Sequence, residues 1–161
     1  GKGDNMRLVA IVAAAVFVID QLTKWWVVHV MELARVGAID VFPPYLNFRM
    51  AWNTGINFGL LSGQADWTRW ILISVALGIV LFVLVWVRRD PPGPVGLVFG
   101  GLLIGGALGN VVGRLLYGAV ADFLNMSCCG FTNPYAFNVA DISVFVGAIG
   151  LALCSGGKNA S

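Results

Sequence analysis

Two aspartates in this chain sit where acid–base chemistry can happen. Asp141 opens an apolar run, flanked by Phe137-Asn-Val-Ala140 and Ile142-Ser-Val-Phe145. No charge follows it within that run, so it needs a partner from another segment. Asp122, in Val120-Ala-Asp-Phe-Leu124, is the best candidate. Asn138 lies three residues before Asp141 and shares its helix face. Two carboxylates at one wet site do not both ionise cheaply, so such a pair shares a proton. One can then act as a base on water while the other, protonated, polarises a carbonyl. That is the chemistry of aspartic proteolysis. By spacing alone the signal is weak, and two unrelated interfacial carboxylates fit it as well or better.

A second ionisable pair lies near the N-terminus. Asp20 and Lys24 stand at i and i+4, so they share a face and can pair. Ionisable groups inside a membrane are expensive and usually functional. A structural ion pair and a substrate contact both fit. Other nucleophile schemes lack their parts. His29 is the one histidine and sits at a helix end, which suits an interfacial role. There is no Gly-x-Ser-x-Gly, no second His for a metal and no phosphate loop. Asn53-Thr-Gly-Ile-Asn-Phe58 reads as a turn, or as polar side chains that hydrogen-bond an extended peptide.

The elements that position these residues follow from composition. Of 161 residues, 11% are charged and 58% hydrophobic. Soluble domains carry about 25% charged residues. Mean hydropathy is +0.84. A disordered chain, a nucleic-acid binder built on basic patches and a soluble globular domain are excluded. The net charge of +2 identifies no partner. We expect one integral membrane domain over residues 6–154. Gly1–Asn5 reads as a leftover tag before Met6, and Ser155–Ser161 as a tail. The first apolar run lacks a small-x-small exit, so no cleavable signal peptide is expected.

A helix needs about 20 residues to cross a hydrocarbon core of about 30 Å. Four runs qualify: roughly Leu8 to Val30, Trp70 to Val87, Val95 to Leu116 and Phe137 to Cys154. Arg88-Arg89, beside the Asp90-Pro-Pro-Gly-Pro94 turn, sets the cytoplasmic side by the positive-inside rule. Both termini are then cytoplasmic. Asp20 lies roughly 20 Å along the helix from Arg7, in the outer half of the bilayer. Asp122 and Asp141 fall near the outer face.

The outer loop from Met31 to Arg69 alternates apolar and polar residues around Tyr45–Met50, which predicts short strands. The second outer loop, Tyr117 to Ala136, contains the Val120–Leu124 stretch and reads as extended. Trp52, Trp67 and Trp70 suit the aromatic belt. Gly101, Gly105, Gly109 and Gly113 recur at steps of four, with Gly96 and Gly100 as another pair. This ridge of small residues lets another helix approach closely. The three cysteines are expected as unpaired thiols, because adjacent Cys128 and Cys129 would close a strained ring. Leu151-Ala-Leu-Cys154 superficially resembles a lipobox, but Leu153 is bulky where a small residue is wanted.

Taken together, these motifs resemble those of signal peptidase II, the lipoprotein signal peptidase of bacteria. The resemblance runs from about Ile19 to Val146. It rests on Asp20-Gln-Leu-Thr-Lys24, Asn53-Thr-Gly-Ile-Asn-Phe58, Gly105-Gly-Ala-Leu-Gly-Asn-Val-Val-Gly-Arg114, Val120-Ala-Asp-Phe123 and Phe137-Asn-Val-Ala-Asp141. It implies four transmembrane helices and a small extracytoplasmic β-cradle with a mobile outer loop or helix. The implied activity is removal of the signal peptide from diacylglyceryl-modified prolipoproteins, with cleavage just before the lipidated Cys. Asp122 and Asp141 match the catalytic dyad. Asp20, Lys24, Asn53, Gly55, Asn110, Arg114 and Asn138 match polar or supporting positions. No metal or organic cofactor is implied. The implied partners are prolipoprotein substrates, membrane lipids and globomycin-type inhibitors, and the implied place is the bacterial inner membrane. Three residues depart from the family pattern. Gly113 stands where an Asp is usual before the Arg, Asn57 where a small residue is common and Asn125 where an acid often follows. The competing expectation is a small membrane transporter or proton-relay subunit, with the acids spread through the membrane depth. A membrane scaffold assembled through the glycine ridge leaves the buried acids unexplained.

Overall fold

A computed structural model of the chain describes residues 1–53, 66–130 and 136–160. Helix α1 (Lys2–Trp25) continues into a π-helical turn, Trp26–Val30. It begins ahead of Met6, within the stretch expected as a leftover tag. A short helix α2 (Leu33–Val36) leads into strands β1 (Ala38–Phe42) and β2 (Leu46–Asn53). Helices α3 (Asp66–Arg89) and α4 (Pro94–Tyr117) follow, then strand β3 (Val120–Asn125) and helix α5 (Val139–Ala160).

Among the described residues, three helical stretches are long and apolar enough to cross a membrane: Lys2–Val30, Trp67–Arg89 and Pro94–Tyr117. The apolar part of α5, Val139–Ser155, is shorter. It stands at the lower end of the roughly 17–25 residues that span a bilayer. The outward faces are bare hydrocarbon. Leu81, Phe82, Phe145 and Leu153 are each more than 60% exposed. Such a surface is stable in lipid and not in water.

Helix α4 is the centre of the bundle and packs on α1, α3 and α5. Pro94 starts it, with the fixed φ that suits a first helical position. Gly118 ends it at φ 74, with its N–H bonded back to the Arg114 carbonyl at 3.1 Å. This left-handed cap redirects the chain into β3. The glycine ridge works as expected. A Cβ on Gly101 would lie 2.6 Å from Val12 Cβ, and one on Gly105 would lie 2.5 Å from the Ala13 carbonyl oxygen. The ridge therefore seats α1. On another face, a Cβ on Gly106 would lie 2.6 Å from the Ala140 carbonyl oxygen of α5.

The strands form one antiparallel sheet in the order β1-β2-β3. Ala51 pairs with Asp122 and Trp52 with Ala121. Beyond β3, Phe137 bridges back to Leu124, with Phe137 N–H donating to the Leu124 carbonyl at 2.8 Å. That bridge sets the start of α5 beside the strand carrying Asp122. Phe123, Leu33 and Val27 form a buried cluster under the sheet.

The cysteine expectation is corrected. Cys128 and Cys129 are joined by a disulfide, and only Cys154 is a free thiol. The backbone turns sharply there, with Cys129 at φ 61 and Gly130 at φ 84, and brings the adjacent sulfurs together.

The ridge makes a direct prediction. Gly105→Ala should lower stability by about 1–3 kcal/mol, the usual cost of overpacking a tight contact. Gly78→Ala on α3, where nothing lies within 4 Å of the new Cβ, should be neutral or slightly stabilising. Thermal unfolding of both variants in detergent micelles reads the difference.

Candidate active site

The first turn of α5 builds one half of the site. Asn138 is the residue before the helix, and Asp141 is its third residue. Asn138 Oδ1 accepts the Asp141 N–H at 2.9 Å, and Asp141 Oδ2 accepts the Asn138 N–H at 3.2 Å. This is a reciprocal capping box written Asn-x-x-Asp. It satisfies two N–H groups that a helix start leaves without partners, and it fixes one oxygen of Asp141.

The other half is β3. Its Asp122 is 2% exposed. Asn138, fully buried, donates its Nδ2 to Asp122 Oδ1 at 2.8 Å. The same amide nitrogen lies 3.2 Å from the Ala121 carbonyl and 3.1 Å from Asn110 Oδ1. Asn110, on α4, donates its own Nδ2 to Asp141 Oδ1 at 3.0 Å. The two aspartates are thus tied to one another through Asn138. Asp122 is sealed in, whereas Asp141 retains partial exposure. Arg114, also on α4 and half-buried, interacts electrostatically with both carboxylates.

Behind this pair sits the first-helix motif. Lys24 Nζ lies 2.8 Å from Asp20 Oδ2 and donates to Asn110 Oδ1 at 3.3 Å. Asp20 is fully buried, and both its oxygens are satisfied. Gln21 Nε2 donates to Oδ2 at 3.0 Å, and the Ala140 backbone N–H donates to Oδ1 at 3.0 Å. The Asp20 carboxylate therefore caps the N-terminus of α5, where the helix dipole favours negative charge. Its approach requires Gly109, because a Cβ there would run into the Asp20 carboxylate.

Asp20, Lys24, Asn110, Asn138, Asp122 and Asp141 thus form one hydrogen-bonded network. Asn53 ends β2 opposite Val120, but its side chain lies outside the described residues, as does all of Gly55. Three contributors escaped the sequence reading: Gln21, the Ala140 N–H and the Ala121 carbonyl. Gln21 lay within the Asp20–Lys24 motif. The two backbone groups left no sequence signal.

Residues 12–155 match the family model described as signal peptidase (SPase) II. The chain belongs to the signal peptidase II family. It is a bacterial membrane peptidase of the aspartic type, in a family that cleaves signal peptides from prolipoproteins. A lipoprotein signal peptidase of Rhodopseudomonas palustris is 37% identical over 151 residues, covering 91% of this chain and 90% of the relative. One from Caulobacter vibrioides is 37% identical, covering 89% and 83%. A solved structure of a bacterial membrane enzyme superposes with a TM-score of 0.78 at 29% identity, covering 99% of this chain and 90% of that one. A second gives 0.76 at 26% identity, covering 94% and 91%. The helices and the small sheet are those expected from the signal peptidase II resemblance. At Gly113, the departure noted from the resemblance, the nearest atom to an added Cβ is 3.5 Å away. A Cβ would fit there without a clash.

Breaking the Asp20–Lys24 pair tests the support of α5. Asp20→Asn should cost about 3–5 kcal/mol, because it leaves a buried cation uncompensated. Adding Lys24→Met should restore much of the unfolding temperature. Peptidase activity should stay low in the double variant, because the carboxylate at the α5 N-terminus and the Lys24–Asn110 contact are still missing.

Proposed function

We propose that Asp122 and Asp141 are the catalytic dyad of an intramembrane endopeptidase. Its substrates are diacylglyceryl-modified prolipoproteins, cut just before the lipidated Cys. The observation that carries this reading is the Asn138 side chain, which contacts both aspartates and fixes their spacing. Asn110, Arg114, Lys24 and Asp20 support that arrangement, and Asn53 and Gly55 contribute to binding the peptide.

In this reading the signal helix enters sideways from the bilayer, and the scissile peptide lies across the dyad. One aspartate removes a proton from water as the oxygen attacks the carbonyl carbon. The other, protonated, donates its proton to the carbonyl oxygen. The tetrahedral gem-diol collapses as the amine leaves with a proton from the first aspartate and one diol hydroxyl returns its proton to the second, which restores the dyad. The two carboxylates titrate as a coupled pair. Arg114 supplies a fixed positive charge beside them. No metal or organic cofactor is needed for these steps. Arg88 and Arg89 at the end of α3 support cytoplasmic termini and a site near the outer face. Globomycin-type compounds are expected to inhibit.

A proton-relay function would spread its ionisable groups through the membrane depth. Here Asp20, Lys24, Asp122 and Asp141 gather in a single network, which favours a localised reaction.

A gel-shift assay on purified diacylglyceryl-modified prolipoprotein tests the proposal. The wild type should convert it to a shorter product. Asp122→Asn and Asp141→Asn should each lose at least about a thousandfold in rate, as expected when one member of a catalytic unit is removed. Cleavage by either folded variant near the wild-type rate would refute the assignment.

A further inference from the structure

A cleft of about 540 Å³ lies between the C-terminal end of α1, the end of α4 and the sheet. Neither Asp122 nor Asp141 is among the residues that line it. Ala121 lines it, and successive strand residues point to opposite faces, so neighbouring Asp122 points away. Trp52, the pairing partner of Ala121, lines the same side.

Several features define its occupant. Among the described residues, the walls are apolar apart from Gln21, Lys24 and His29, and no acidic residue lines the cleft. Leu22, Trp25 and Tyr117, which also line it, are each more than 50% exposed. The cleft therefore continues the surface of α1 and α4 that faces the bilayer. Trp, Tyr and His carry an apolar body with a polar tip, which suits the headgroup level of a membrane. Gly113 also lines the cleft, and a Cβ there would rest in ordinary contact on the Ala119 carbonyl oxygen, 3.5 Å away, and on Val120. Without a side chain, that part of the α4 wall is recessed.

We propose that this cleft binds one acyl chain of a bilayer glycerolipid, with the ester region toward Lys24 and His29. The Lys24 ammonium and the His29 ring N–H are both hydrogen-bond donors, which suit ester carbonyl or phosphate oxygens. The volume falls within the range of about 300–1,000 Å³ usual for small-ligand sites. It is far less than a spanning helix of about 10 Å diameter and 30 Å length requires, so the substrate's signal helix does not fit. A seated chain closes the back of β3, so the catalytic strand rests on packed hydrocarbon. Gly113 is then the residue that admits the lipid.

The test does not depend on peptidase activity. The intact protein is placed in nanodiscs of phosphatidylethanolamine and phosphatidylglycerol. These are doped with a phosphatidylcholine that carries a diazirine at the end of one acyl chain. After illumination, adducts are mapped by mass spectrometry. Wild type should carry adducts on the strands at Trp52 and Ala121, and on the exposed α3 face at Leu81 and Phe82. Gly113→Leu, which fills the cleft from α4, should cut strand labelling at least fivefold and leave α3 labelling unchanged. Ala34→Phe, filling it from exposed α2, should do the same and guards against misfolding of the first variant. Strand positions unlabelled beside a labelled α3, or strand labelling unchanged in both variants, would overturn the proposal. So would displacement of strand labelling by an uncleavable prolipoprotein, which would give the cleft to the substrate.

Discussion

The side chain of Asn138 holds the site together. Its amide nitrogen reaches Asp122 across the sheet, while its oxygen and its backbone N–H hold Asp141 at the first turn of α5. Two carboxylates brought into one buried site repel one another unless a proton or a donor lies between them. Asn138 supplies that donor. It also cannot move independently, because the hydrogen bonds that orient it are the cap of the helix. A shift of Asn138 would cost both the helix start and the Asp122 contact. Stability of α5 and geometry of the proposed dyad are therefore one property.

That cap depends in turn on how closely the helices pack. The Asp20 carboxylate reaches the Ala140 N–H only because Gly109 offers no Cβ. Gly101 and Gly105 extend the same close approach along α1, and Gly106 admits α5. Dispersion contacts between backbones replace the hydrophobic drive that lipid removes. The ridge on α4 thus sets the distance at which an ion pair on one helix can fix the first turn of another. Lys24 carries the link onward to Asn110, and Asn110 carries it to Asp141.

Much of this was legible in the residues, for identifiable reasons. The uncharged run of α3 and the apolar runs of α1 and α4 needed only a count of residues per bilayer. The expected fourth span was legible as the helix α5, although its apolar part, Val139–Ser155, is shorter than in the others. The Asn-x-x-Asp spacing at Asn138 and Asp141 placed both on one face, and their reciprocal cap follows from that spacing. The i, i+4 spacing of Asp20 and Lys24 gave their pairing. Their second role did not show, because the Ala140 N–H lies 120 residues away and a backbone donor has no side-chain signature. Pairing of Ala51 with Asp122 was also hidden, since strand register is set by tertiary contacts. The Cys128–Cys129 bond was misread because the local turn, with positive φ at Cys129 and Gly130, is not written in the cysteine spacing.

The most direct measurement of the central claim is the steady-state cleavage rate of Asn138→Ala, with fold checked by thermal unfolding and circular dichroism. If Asn138 sets the dyad, kcat should fall by about a hundredfold or more while KM changes little, the pattern of a lost transition-state arrangement. A folded Asn138→Ala enzyme that cleaves within twofold of the wild-type rate would contradict the account.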